Sequence, residues 1–206
     1  MKKIHLLIIV VISLSAGIIV SSIVYDPKPV KLEAGSWFGE QAKILPNFQL
    51  VDQNSRALGK SELIGKWSLM FFGYTHCPDV CPASLQILSD LLNTIDGSNI
   101  GDKIQVIFVS VDPARDTPAI LKTYVQYFHP DIIGASAPLI ELDRLTGSIG
   151  IAHSRDINSG NAEVYDVSHS SAIILLNPRG EFSGLFGAPH DSQAMARDMA
   201  KIIDNS

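Results

Sequence analysis

The sequence predicts an α/β domain with a mixed central sheet flanked by helices, preceded by an N-terminal extension and one N-terminal transmembrane helix. Three observations lead there. Two unbroken apolar runs, Trp67–Phe72 and Ile104–Val111, read as central strands, each followed by a turn and a helical pattern. Near the C-terminus, Ala172–Leu176 and Glu181–Phe186 flank the tight turn Asn177-Pro178-Arg179-Gly180, which predicts an antiparallel hairpin. At the other end, Ile4–Val24 carries no charged residue unless His5 is protonated. As a helix it would rise about 30 Å, the thickness of a bilayer's hydrocarbon core.

Along the chain, Lys2 and Lys3 precede the apolar run, so the positive-inside rule sends everything after Val24 outward. Ser13-Leu14-Ser15 and Val20-Ser21-Ser22 are patterns a signal peptidase accepts, but the run continues through Gly17–Val20, which favours an uncleaved anchor. No cysteine lies nearby, which excludes a lipoprotein anchor. The expected organisation is an anchor over 1–24, a linker over 25–44 containing Pro27 and Pro29, and a domain over 45–206. Within the domain, Phe48 and Leu50 alternate with polar residues before Asp52–Ser55, a small hairpin. Ser61 caps a brief turn that Gly65 ends.

After Trp67–Phe72 the chain passes Gly73 and Tyr74-Thr75-His76 and reaches the only two cysteines, Cys77 and Cys81. Pro82 suits a first helical turn, and Leu85, Leu88, Leu91 and Leu92 fall at helical spacing up to Gly97. Thr117-Pro118 starts a helix running to about Phe128. Residues 129–137 read as an insertion with a weak strand at Ile132-Ile133. A helix over Pro138–Ile149, a strand over Glu163–Val167 and a last helix over about Ser192–Ile203 complete the order. A βα crossover half followed by a ββα half is the thioredoxin topology, with the cysteines where the first core strand meets its helix.

Without Lys2 and Lys3 there remain 14 basic residues against 21 acidic ones, a net charge of −7 with no basic cluster. That argues against nucleic acid as a partner. In an exported protein a cysteine pair is first read as a structural disulfide, but a bridge across three residues restrains little of the unfolded chain. Cys77 and Cys81 are therefore chemical. Residues four apart share a helix face, and a helix N-terminus favours the thiolate. Thiolates select Cu(I), zinc or iron–sulfur clusters, and the spacing alone leaves metal binding, disulfide exchange and a local bridge open.

A third donor is sought among six histidines. His5 lies in the anchor, and His76 beside Cys77 reads as solvent-facing or supporting. His129 sits at a helix end, and His153 and His190 read as surface residues. His169, in the loop before Ala172–Leu176, faces the cysteine loop in this topology, and imidazole suits copper. Asp79, between the cysteines, reads as a helix cap or as a supporting group near the metal. Asp112, Arg115 and Asp116 read as turn-forming.

The stretches FGYTHCPDVCP, SVDPARDTP and YDVSHSSAIILLNPRG resemble the SCO/SenC family of cytochrome c oxidase assembly factors, in family order. The resemblance covers about Leu45 to Ile203. It implies a membrane-anchored, thioredoxin-like copper metallochaperone rather than an enzyme. Cys77, Cys81 and His169 would be the ligands of copper, as Cu(I) or Cu(II), and the binuclear copper centre of cytochrome c oxidase the destination. Ser168 stands where the family often has an aspartate before the histidine. Implied partners are the oxidase's copper-receiving subunit, other copper chaperones or thiol reductants, and the membrane. The expected location is a bacterial inner membrane, held by the single N-terminal anchor, with the domain in the periplasm or extracytoplasmic space. An alternative is a thiol–disulfide oxidoreductase using Cys77 and Cys81 as its redox pair to keep cysteines of the oxidase subunit or another exported protein reduced. A thiol peroxidase, which would need a Thr-x-x-Cys absent here, and a copper or redox sensor are further readings.

Overall fold

The computed structural model describes residues 30–156 and 166–206, together with His5, Val11, Ser13 and Ser15, which have helical backbone and are exposed. Apart from those four, the expected anchor lies outside the described residues. Among the described residues no helix is long and apolar enough to cross a membrane. The chain divides into two units, Met1–Lys31 and Leu32–Ser206, and the second holds the sheet.

The second unit is built on an eight-stranded sheet in the order β1 (Gly35–Trp37), β10 (Phe182–Phe186), β9 (Ile173–Leu176), β4 (Trp67–Gly73), β5 (Ile104–Ser110), β6 (Ile132–Ser136), β2 (Gln49–Asp52), β3 (Ala57–Gly59). Strand β4 (Trp67–Gly73) is buried at every position, as a continuous apolar run requires, and pairs in parallel with β5 (Ile104–Ser110), Gly73 opposite Ser110. On the other side β4 meets β9 (Ile173–Leu176) antiparallel, and β9 turns through Asn177–Gly180 into β10 (Phe182–Phe186), as the turn residues predict. Helix α1 (Val80–Ile95) buries Leu85, Leu88, Leu91 and Leu92 and packs against α4 (Ser192–Asp204). Helix α2 (Pro118–Phe128) starts where Thr117 accepts the Ile120 amide and lies along β6 (Ile132–Ser136). Helix α3 (Leu139–Ile149) ends at Gly150, whose φ of +72° supplies the left-handed stop.

Three expectations change. Residues 129–137 are no insertion, because β6 pairs in parallel with β5 and then antiparallel with β2 (Gln49–Asp52), which forms the expected hairpin with β3 (Ala57–Gly59). The linker expected over 25–44 contains β1 (Gly35–Trp37), an edge strand paired with β10. Gly184 permits that approach, since a Cβ there would sit 2.3 Å from the Ser36 carbonyl oxygen. The strand expected over 163–167 is β8 (Asp166–His169), with 163–165 outside the described residues; its partner β7 (His153–Asp156) has no counterpart in the sequence pattern, and the two form a separate two-stranded antiparallel sheet.

Candidate metal centre

The centre forms where β4 ends. At Gly73 the chain leaves the sheet, and the Cys77 amide closes a turn onto the Tyr74 carbonyl at 3.3 Å. Asp79 takes the N-cap position of α1 but its side chain makes no capping bond. The sulfur of Cys77 is the acceptor there instead, with the Cys81 amide 3.4 Å away. Cys77 is half-buried and Cys81 fully buried, and both are free thiols.

The ladder β7–β8 carries His169 to the same place. Its Nε2 lies 3.1 Å from Cys81 Sγ, and its Nδ1 lies 3.1 Å from the Ser170 carbonyl oxygen. A carbonyl only accepts, so Nδ1 carries the ring proton; in the neutral ring Nε2 is bare and accepts the Cys81 S–H. The Phe71 and Tyr74 rings meet the imidazole edge-on, with centroids 6.0 and 5.8 Å away. Arg115 stacks over Tyr74 at 5.7 Å and is ion-paired to buried Asp112, so the turn residues reach the imidazole through one aromatic ring. His190 steadies the loop beyond by donating from Nε2 to the Ser171 carbonyl at 2.9 Å.

Burial sets the protonation of the site. It pushes the Cys81 thiol well above the usual cysteine range, against the lowering expected from a helix N-terminus. It also holds His169 below the ordinary histidine value. A thiol and a neutral imidazole share one proton here, and a soft cation replacing it meets two sulfurs and one nitrogen. The donor atoms of Cys77, Cys81 and His169 all lie within 4.8 Å of one another, which suits a soft ion of low coordination number.

Thus the structure brings all three sequence-selected residues together. It leaves His129 at its helix end, taking the Asp131 amide on Nδ1. His153 differs from expectation: its side chain is 9% exposed and pairs with Asp143 at 3.1 Å, directly across the ladder from His169. Asp116 forms the expected turn with Asp112 and, beyond it, is a buried carboxylate that accepts both the amide and the hydroxyl of Thr75. A run reading Asp-Pro-x-x-Asp signals a turn, and nothing in it reveals that the second carboxylate faces a loop forty residues earlier.

Residues 38–204 match the profile of the SCO1/SenC family. A copper-binding protein, as its name describes it, from Stutzerimonas stutzeri is 33% identical over 163 residues, covering 79% of this chain and 78% of its own. The mitochondrial protein SCO1 of Saccharomyces cerevisiae is 34% identical over 173 residues, 84% of this chain but 57% of the yeast protein, so this chain spans little more than half of that relative. Among solved structures, Bradyrhizobium japonicum ScoI with copper bound aligns with a TM-score of 0.69 at 36% identity, over 77% of this chain and 99% of the other.

Proposed function

Because the chain belongs to the SCO1/SenC family, we propose that it is a copper metallochaperone holding Cu(I) between Cys77, Cys81 and His169. The observation that carries this function is the mutual proximity of those three donors, two soft sulfurs and a bare imidazole nitrogen. Three donors leave the ion open to an incoming ligand, so transfer proceeds by ligand exchange towards a tighter acceptor. Binding displaces thiol protons, which makes copper affinity rise with pH and require the reduced pair. The acceptor is the copper-receiving subunit of cytochrome c oxidase, the assembly to which the motifs link the family. The segment 1–24 tethers the domain to a bacterial inner membrane, on its periplasmic side.

The test is Cu(I) competition on the reduced full chain in detergent. One copper per chain is expected, with affinity falling at least tenfold in Cys77→Ser and in His169→Ala, the scale on which ligand environments act. Equal affinity in wild type and His169→Ala would overturn the three-donor site.

A second reading is favoured by the two free thiols one helical turn apart. As a thiol–disulfide oxidoreductase, the pair would be oxidised to a disulfide while reducing a partner's disulfide to two thiols. That exchange does not need His169, so His169→Ala separates the two functions.

A further inference from the structure

Next to Cys77 in the chain stands an imidazole that the three-donor site does not use. His76 adjoins Cys77 and its side chain is 56% exposed. Its surroundings fix its proton. Asp116 is buried; one carboxylate oxygen accepts the Thr75 amide at 2.9 Å and the Ser110 hydroxyl at 2.5 Å, and the other accepts the Thr75 hydroxyl at 2.6 Å. The Thr75 hydroxyl has one proton and gives it to the carboxylate. In its 3.1 Å contact with His76 Nδ1 it can therefore only accept, so Nδ1 carries hydrogen and the neutral ring keeps its lone pair on Nε2. The second carboxylate oxygen lies 3.9 Å from the same Nδ1.

A carboxylate that fixes one ring nitrogen and bares the other is how proteins orient metal-binding imidazoles. Here a threonine hydroxyl is interposed. A surface histidine needs no buried carboxylate behind it, and the burial of Asp116 is met by its hydrogen bonds from Thr75 and Ser110. Nε2 of His76 is not among the donors that lie within 4.8 Å of one another, so it adds nothing to the resident site.

We propose that His76 is a receiving ligand, taking Cu(I) from a surface donor on Nε2 and passing it to Cys77. This rests on the copper function proposed above. In the first step a bond from Nε2 to copper forms as a bond to the donor breaks. In the second, Cys77 Sγ replaces Nε2 and its thiol proton leaves to water. Cys81 and His169 then complete the site, the Cys81 proton also leaving to water. Copper stays Cu(I) throughout, and His76 returns to a free imidazole.

The experiment offers Cu(I) as its bicinchoninate complex to the reduced full chain and follows loss of the complex's colour by stopped flow. His76→Gln should load about tenfold more slowly while equilibrium affinity, set by the resident donors, stays within about threefold. Thr75→Val, which keeps the imidazole but releases its tautomer, should slow loading in part. Equal loading rates for wild type and His76→Gln, with tight equilibrium binding in both, would overturn the role of His76 alone. A loss of equilibrium affinity beyond tenfold in His76→Gln would make it a resident ligand and also overturn the proposal. A wild-type chain that holds no copper at equilibrium would overturn the copper function beneath it.

Discussion

At Gly73 the strand, the helix and the centre share one position. A Cβ there would lie 2.6 Å from Cys81 Sγ and 2.8 Å from a Phe108 ring carbon, so only hydrogen fits. Gly73→Ala should therefore lower stability by about 1–3 kcal/mol, the cost of overpacking a filled core, and weaken copper binding as the sulfur is displaced. Urea unfolding and Cu(I) competition check the two effects; if neither changes, the sulfur has room to move. At this scale the donors were legible because their chemistry is local: a CxxxC pair at a strand–helix junction and a histidine before a strand. Burial was not. The raised thiol of Cys81 and the enclosure of His153 depend on elements far apart in sequence, and no spacing rule reports them.

Elements were legible where the apolar pattern is strong and lost where polar residues form short strands. Strand β1 reads Gly-Ser-Trp and β7 reads His-Ser-Arg-Asp, neither with an apolar period; β1 forms against β10, already a strand of the main sheet, whereas β7 and β8 form only against each other. The first is held by more than its ladder. Buried Asp198 of α4 accepts the amides of Glu33, Ala34 and Gly35 at 2.7–3.1 Å. Replacing it by alanine should cost about 3 kcal/mol and speed amide exchange at residues 33–35, because three donors lose a charged acceptor. Copper affinity should not change; a fall would mean that the clasp supports the centre. Beside it, hydrogen bonds from Arg197 and then Lys201 hold the Glu33 carboxyl at about 2. A depressed carboxyl contributes stability above its unfolded value of 4.5, lost as pH falls towards 2. Wild type and Glu33→Gln should therefore differ in melting temperature at neutral pH and converge near that lower value, while a gap that persists there would remove the carboxylate as its source.

Across the whole molecule, topology was the most legible feature, since two buried parallel strands and a terminal hairpin leave few ways to build a sheet. The centre sits at the C-terminal end of β4, a strand buried at every position, so metal binding is linked to global folding. Copper at a thousandfold excess over its dissociation constant should stabilise the native state by about 4 kcal/mol. Calorimetry of apo and copper-loaded protein should show that rise and its absence in Cys81→Ser; equal melting temperatures would place copper outside the folded site. The position of β1 has a mechanical side. Strands β10 and β9 separate it from β4, so tension entering through residue 32 loads the edge of the sheet and the Asp198 clasp first. The margin acts like a fuse, peeling from β10 before the load reaches β4. A chain pulled from its N-terminal side would thus keep its cargo until the edge had given way.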